Sequence, residues 1–191
     1  MDKRKKERIL ETATDIFSRF GIKKATMDEI AQKVRMGKST LYHYFKSKEE
    51  IFLEVVKRES DTLKENLKKE VEKAITPQNK FRAYAKARMK YLKELINYYN
   101  TLTDAYLEIY PFTKDIQRDF ENFELNSLST IFREGIEKDV FNIPNPKLAA
   151  RMVMIAFKGF EYLYFIKEQP TELEGELDNL IDMFFKGIEK A

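Results

Sequence analysis

Apolar residues recur at intervals of three and four along nearly the whole chain, and no convincing stretch alternates strictly between apolar and polar positions. The first spacing places side chains on one face of an α-helix, whereas strict alternation is typical of a half-buried strand. The chain is therefore predicted to be all α. The first apolar stripe ends at Phe20, and Gly21 follows where a left-handed residue closes a helix. This stripe contains Ile9, Leu10, Ala13, Ile16, Phe17 and Phe20.

Capping signals divide the next residues into two short helices. Thr26 followed by Glu29 is a capping-box pair, so a second helix is predicted to begin there and to stop near Arg35. Gly37 stands at the expected N-cap of a third helix. The connection is then only about three or four residues long, which is the length expected of a helix-turn-helix.

A second capping box, Ser47 with Glu50, predicts a long fourth helix that reaches Thr76 and could couple the first part of the chain mechanically to the rest. Beyond Pro77 the pattern predicts five more helices, separated at Pro111, in the Asn-Ile-Pro-Asn-Pro stretch and near Pro170. Their expected ranges are 78–96, 98–110, 113–138, 145–168 and 173–190.

Charge is unevenly distributed along the chain. Residues 1–48 hold 13 Lys and Arg against 6 Asp and Glu, a net charge of +7, whereas the remainder carries a net charge of −4. A basic head on a mildly acidic body suggests a polyanion partner for the head alone. The alternative is a solvated lysine-rich surface. We draw the domain boundary there, with a helix-turn-helix domain at 1–48 and a helical body at 49–191.

Amino-acid composition excludes several kinds of site and argues against several classes of protein. The absence of cysteine excludes disulfides and thiolate metal sites. No run of 18 apolar residues and no apolar leader segment is found, so a cytoplasmic protein without membrane contact is expected. The single histidine lies in the head, and the chain has neither a Gly-rich phosphate loop nor an HExxH motif. These features argue against an enzyme and predict no metal or cofactor.

The stretch KSTLYHYF, residues 38–45, is the main candidate for function. On a helix Leu41 and Phe45 point together into a core, which leaves a polar and aromatic face outward. In a major groove hydroxyls and a lysine can reach base edges, and a tyrosine can cover a thymine methyl or bond a phosphate. Packing of the tyrosines within the head is the alternative. The outward residues are Lys38, Ser39, Thr40, Tyr42 and His43.

Residues 8–52, with FGIKKATMDEIAQKV followed by KSTLYHYFKSKEEIF, resemble the DNA-binding head of the TetR family of bacterial transcriptional regulators. The resemblance implies an N-terminal three-helix head on a larger helical body that binds effector and dimerises. It also implies phosphate contacts for Thr26, Tyr42, Tyr44 and Lys48, and contacts with bases or their flanking backbone for Lys38, Ser39, Thr40 and His43. Arg35 stands where the family usually has the turn glycine, and Gly37 where it usually has a serine or threonine cap.

The body is rich in aromatic residues. A helical bundle lined by rings and phenol hydroxyls can enclose a cavity for an apolar or flat ligand, although each ring can equally fill the core. Arg88, with Asp104 and Glu108, could read a charged group on such a ligand; a solvated face is the alternative. The predicted effector-binding residues are Phe81, Tyr84, Arg88, Tyr91, Tyr98, Tyr106, Tyr110, Phe120, Phe123 and Phe132.

The last two predicted helices suit a two-fold, four-helix dimer interface. The first of them is apolar nearly all round, so it must be covered on more than one side. Two recognition helices reach successive major grooves only if the protein is a dimer. The predicted interface residues are Met152, Ile155, Gly159, Leu163, Leu177, Ile181, Phe184 and Phe185.

These patterns together predict a ligand-responsive transcriptional regulator, by family habit a repressor. It would bind a palindromic double-stranded DNA operator as a homodimer and be released by a lipophilic effector such as a fatty acyl chain or an aromatic drug-like molecule. A ligand-carrier or scaffold bundle without a DNA role is the alternative, and the concentrated charge and the Tyr-His-Tyr face argue against it.

Overall fold

The computed structural model describes residues 2–95, 106–166 and 170–189, without the side chains of 92–93, 106–111, 161–166 and 170–174. The described residues form eight helices, with one isolated bridge between Phe141 and Glu189. The helices are α1 (Lys3–Lys24), α2 (Met27–Val34), α3 (Lys38–Tyr44), α4 (Lys48–Glu72), α5 (Pro77–Glu94), α6 (Tyr106–Glu137), α7 (Pro146–Ile166) and α8 (Pro170–Ile188). The predicted all-α class is confirmed.

The capping signals place the first three helices where the sequence predicts them. Gly21 interrupts the helical backbone of α1 with a φ of 71°, so the regular part of α1 ends at Phe20. The Thr26 side chain accepts the Glu29 N–H while the Glu29 carboxylate accepts the Thr26 N–H, which completes the predicted capping box. Gly37 is the N-cap of α3.

The turn between α2 and α3 carries a non-glycine residue in the left-handed region. Arg35 has φ 55° and ψ 52°, a conformation that costs an L-residue about 1 kcal/mol and normally favours glycine. Its N–H bonds to Gln32, and the Met36 N–H bonds to Ala31. These bonds satisfy carbonyls at the end of α2 and hold the turn in spite of its residue type.

Contacts group the described residues into two compact units, one from residues 1–63 and 92–118 and the other from 64–91 and 119–191. In the first unit, the core joins α1, α2, α3 and the first half of α4. The Phe17 and Phe52 rings meet edge to face at 5.2 Å, and Leu41 and Ile51 are fully buried. Burial of this apolar surface is what holds the short α3 in place.

The predicted break at Pro111 is wrong. Helix α6 runs without interruption from Tyr106 to Glu137 and includes Pro111. A proline lacks the N–H for one intrahelical bond, and here that loss falls early in a 32-residue helix, so the remaining bonds and packing outweigh it. The rest of the predicted segment 98–110, including Tyr98 and Asp104, lies outside the described residues.

Phenylalanine rings form the core of the second unit. The ring of Phe81 lies 5.1 to 6.4 Å from four others, and Phe141 stacks on Phe185 at 5.9 Å. At Gly135 the α6 backbone approaches so closely that an added Cβ would overlap the Phe141 ring. The cluster consists of Phe81, Phe132, Phe141, Phe157, Phe184 and Phe185.

A buried ion pair joins α5 to α6 beside this cluster. Arg88 and Glu124 are only 2% and 1% exposed, and the Arg88 Nε donates to Glu124 Oε1 at 2.5 Å. The Tyr84 hydroxyl donates to the same oxygen at 3.0 Å, and the Arg88 guanidinium lies 5.2 Å from the centre of the Phe157 ring. Removing both charges from water is costly, so the pair depends on these bonds.

No helix within the described residues is long and apolar enough to cross a membrane. In the same residues no group of three or more acidic or histidine side chains is arranged to hold a metal ion.

Candidate nucleic-acid interface and ligand cavity

Helix α3 separates buried from exposed residues as the sequence predicts. Leu41 is fully buried and Phe45 is 3% exposed, so both anchor α3 in the first unit. On the other side Tyr42 is 44% exposed, although its ring is largely apolar. The remaining predicted outward residues, Lys38, Ser39, Thr40 and His43, are also exposed.

Side chains of α1 contact the residues on either side of α3. The Arg8 guanidinium donates to the Val34 carbonyl at 3.0 Å and so caps the end of α2 just before the turn. The Lys6 ammonium lies 5.5 Å above the Phe45 ring, directly after α3, and also pairs with Glu54 of α4. Arg58 of α4 binds Glu7 through two bonds of 2.7 and 2.6 Å. These contacts tie the chain before and after α3 to α1, and α1 to α4.

Lys38 is already paired within the chain. Its ammonium lies 2.7 Å from the Asp28 carboxylate on α2, and this hydrogen bond and the charge of Asp28 raise the pKa of Lys38. To contact a phosphate the ammonium must leave Asp28. The pair is well exposed, so it is weak in water and easily exchanged.

Two residues with predicted phosphate contacts have bonds of their own within the first unit. Thr26 Oγ1 accepts the Glu29 N–H at 3.2 Å and donates to the Glu29 carboxylate at 2.9 Å. The Lys48 ammonium donates to the carbonyls of Ile22, Lys23 and Ala25 at 2.8, 3.2 and 3.0 Å. All three Lys48 donors are thus used to close the end of α1, a structural role that the sequence did not predict.

Replacing Lys48 with alanine should lower the free energy of unfolding by about 1–2 kcal/mol, because the last carbonyls of α1 lose a cation and its hydrogen bonds. Urea unfolding monitored by circular dichroism measures the change. Lys46→Ala, an exposed lysine two residues away, is the matched control and should change stability by less than about 0.5 kcal/mol. Unchanged stability, together with a flatter salt dependence of DNA binding, would favour the phosphate contact instead.

The second unit contains a cavity of about 390 Å³ between α4, α5 and α6. This volume is within the range of small-molecule sites. Of the ten predicted effector-binding residues, Tyr84 and Phe123 line it. The other lining residues are Leu67, Lys68, Val71, Glu72, Lys80, Asn126, Ser127, Thr130, Ile131 and Glu134.

Several of the predicted effector-binding residues do not line the cavity. Phe81 and Phe132 are buried in the phenylalanine cluster, and Arg88 is paired with Glu124, so all three have packing roles. Phe120 is buried against Phe123, and the Tyr91 hydroxyl donates to Glu70 at 3.3 Å. Tyr98 and the side chains of Tyr106, Glu108 and Tyr110 are outside the described residues.

The cavity residues that the sequence did not predict come from the second half of α4, from Lys80 of α5 and from α6. Several of them, such as Asn126, Ser127 and Thr130, are small and polar, so a pattern of aromatic residues does not include them. One signal was present: these residues follow Phe123 at spacings of three, four and seven, so they share a helix face with it.

Helix α7 carries a second apolar stripe that its own chain leaves uncovered. Ala150, Val153, Phe157 and Phe160 are buried on one side. On the other side the alternating spacing of four and three, typical of helix-on-helix seams, brings exposed residues together. They are Leu148, Met152, Ile155 and Gly159, with Ile155 63% exposed.

Helix α8 is divided in the same way, which corrects part of the predicted interface. Leu177, Ile181 and Phe185 are 6% exposed or less, and Phe184 packs in the phenylalanine cluster. These four side chains pack in the chain's own core. The exposed apolar residues of α8 are Leu180 and Met183. The side chain of Leu163 is outside the described residues.

The comparisons with known proteins agree with the geometry of the head. The family model of bacterial regulatory proteins, tetR family, matches residues 9–55, which cover α1 from Ile9 through the first turns of α4. The transcriptional regulator QacR of Staphylococcus aureus is 28% identical over 192 residues, which cover 97% of this chain and 98% of that protein. The head of the chain, residues 9–55, therefore matches the TetR family of bacterial regulators.

Solved structures extend the TetR-family likeness to the whole chain. A transcriptional regulator from Cytophaga hutchinsonii is 25% identical with a TM-score of 0.78, over 96% of this chain and 98% of that one. The fatty acid regulator FadR of Bacillus subtilis, solved with stearoyl-CoA, shares the fold with a TM-score of 0.74 at 19% identity, over 95% and 98% of the two chains. The fold of these regulators therefore extends along nearly the whole chain.

Proposed function

We propose that the chain is a TetR-family repressor that binds a palindromic operator as a homodimer and leaves it when a lipophilic small molecule binds the body. The exposed face of α3 carries the proposal. It presents a lysine, two hydroxyls, a tyrosine and a histidine, and two buried side chains hold it on a basic head. Domain limits of 1–48 for the head and 49–191 for the body are part of the proposal.

The chemistry of the α3 face suits the major groove. The hydroxyls of Ser39 and Thr40 can bond base edges, and the exposed ring of Tyr42 can cover a thymine methyl. Half to two-thirds of the hydrogen bonds in such complexes go to phosphate and sugar, and we assign these to Thr26, Tyr44 and, if it leaves α1, Lys48. Lys38 can exchange Asp28 for DNA at little cost, because the pair is exposed.

The uncovered stripes of α7 and α8 support the homodimer. Contiguous exposed apolar residues on two adjacent helices mark a protein interface. A two-fold axis would place the two stripes against those of a second copy and form a four-helix interface. The resulting dimer would also have the two heads that are needed to reach successive major grooves. We assign this interface to Leu148, Met152, Ile155, Gly159, Leu180 and Met183, and Leu163 stays a predicted member.

Helix α4 supports the coupling between ligand and DNA. Its second half, at Leu67 and Val71, lines the cavity, and its first residue, Lys48, bonds the end of α1 in the first unit. A ligand that binds the cavity in only one position of α4 favours that position. Because α4 also contacts the head, the ligand changes the fraction of dimers whose heads match the operator. The effect is reciprocal, so the operator must weaken ligand binding by the same factor.

A fluorescence-anisotropy titration of a duplex from the chain's own promoter, at two salt concentrations, tests the proposal. We expect salt-dependent binding, and Tyr42→Ala should weaken it roughly tenfold, as loss of a base or phosphate contact does. Phe20→Ala is the matched control, because Phe20 is also an exposed ring of the head, at 57% against 44% for Tyr42, and lies outside α3. A duplex with one arm of the palindrome should bind more weakly than the full site.

Two results would contradict the proposal. If Tyr42→Ala and Phe20→Ala behave alike, α3 is not the contacting face. If no duplex binds in a salt-dependent manner while the cavity still takes ligand, the chain acts as a ligand carrier without a DNA role.

A further inference from the structure

The cavity between α4, α5 and α6 is apolar inside and polar at its mouth. Leu67, Tyr84 and Ile131 are almost completely buried and form its interior. Asn126 and Thr130 of α6 are exposed, as is Lys68 of α4. A ligand that matches this arrangement has an apolar body and a polar end group.

Two lysines, Lys68 and Lys80, and two glutamates, Glu72 and Glu134, line the cavity, and they differ in the partners that they already have. Glu134 is shared by two ammonium groups, Lys80 at 2.6 Å and Lys138 at 2.8 Å. These hydrogen bonds, from Lys138 and then from Lys80, lower the pKa of Glu134, so its carboxylate stays charged and its charge is already compensated. The second lining carboxylate, Glu72, is exposed to solvent. Neither lining carboxylate therefore suits a cationic ligand, because Glu134 already binds two lysines and Glu72 is exposed to water.

Lys68 is the remaining ammonium of the mouth. It lies 5.5 Å above the Phe123 ring, and within the described part of the chain it forms no ion pair with a carboxylate. The ring holds the ammonium over the cavity without neutralising it. Ser127 and Thr130 place hydroxyl donors on the adjacent face of α6, where they can share an anion with the ammonium.

We propose that the cavity binds an anionic amphiphile, with its apolar body between Leu67, Tyr84 and Ile131 and its carboxylate, or a similar acidic head, on Lys68. The inference rests on the proposed function, since it names the effector class of that cavity. A neutral amphiphile of equal length gains the same burial and lacks the ion pair. A cationic one is repelled by Lys68 and by the lysine pair on Glu134.

Three probes with the same tail and different heads test this: decanoate, 1-decanol and decyltrimethylammonium, each titrated calorimetrically below its solubility limit and without DNA. We expect decanoate to bind about tenfold more tightly than the other two, as for a charge-assisted hydrogen bond. Lys68→Gln should remove this preference and leave 1-decanol binding unchanged. Lys69→Gln, the next lysine of α4 and not a cavity residue, is the matched control and should change nothing.

Equal or tighter binding of the neutral or cationic probe would overturn the inference, and so would an unchanged preference in Lys68→Gln or the absence of binding by decanoate. Operator release, followed by anisotropy in a parallel titration, separates this from the proposed function. Decanoate that binds through Lys68 and leaves the operator bound would refute the proposed function and support the inference. Release of the operator by another probe, without binding of decanoate, would support the proposed function and refute the inference.

Discussion

Replacing Glu124 with leucine should lower the free energy of unfolding by about 3–5 kcal/mol, the largest effect that we expect from a single substitution in this chain. The variant leaves the Arg88 guanidinium in a core where it is 2% exposed, without the carboxylate that binds its Nε and Nη2 atoms. The Tyr84 hydroxyl loses the same acceptor. Desolvation of the arginine is then no longer compensated, and the core must open or admit water.

A double-mutant cycle decides whether the charge is the cause. Urea unfolding at a fixed protomer concentration should show that Arg88→Met combined with Glu124→Leu recovers most of the loss, because apolar residues of similar volume can replace a buried pair. A double variant as unstable as Glu124→Leu alone would assign the loss to packing. A loss below about 1 kcal/mol in the single variant would show that water reaches the pair.

Replacing Gly135 with alanine should lower the free energy of unfolding by about 3 kcal/mol, although alanine is the better helix former. The new Cβ would overlap the Phe141 ring carbons Cδ2 and Cε2. Phe141 is 1% exposed and is held between Phe132 and Phe185, so its ring has no free space into which it can move. Helix α6 or the segment after it must shift instead.

Gly175→Ala is the matched control for this steric effect. Gly175 is also helical, but nothing lies within 4 Å of an added Cβ there. The variant should therefore gain roughly 0.5–1 kcal/mol from helix propensity alone. Thermal unfolding of both variants measures the contrast. Equal stabilisation of the two would show that Phe141 moves aside easily and that the close approach at Gly135 is not a constraint.

The head could be predicted closely from sequence because its determinants are local. Capping boxes, Gly21 and the spacing of Leu41 and Phe45 act over three or four residues, and the bounds that they predict lie within about four residues of those in the structure. The role of Lys48 could not be predicted in this way. Its ammonium bonds carbonyls 23 to 26 residues earlier in the chain, and no pattern of spacing records such a contact.

The body was harder to predict because periodicity shows that a stripe is apolar and does not show what covers it. On α8 the stripe assigned to a partner, with Ile181 and Phe185, is buried by the chain's own helices, whereas Met183 is 74% exposed. On α7 two stripes exist, and the predicted Met152 and Ile155 lie on the exposed one. The sequence likewise predicts a ligand cavity lined by aromatic rings, whereas Phe81, Phe120 and Phe132 fill the core.

The 25 residues of α4 form a continuous rod about 37 Å long, at 1.5 Å per residue. Rotating such a rod by about 5° displaces one end by about 3 Å relative to the other, which is comparable to the length of a hydrogen bond. The Lys48 ammonium, at the first residue of α4, forms three hydrogen bonds to the last carbonyls of α1. Through these bonds the end of α1 follows a movement of the first turn of α4. In the proposed mechanism, a ligand that tilts α4 by a few degrees would displace its first turn by an atomic distance.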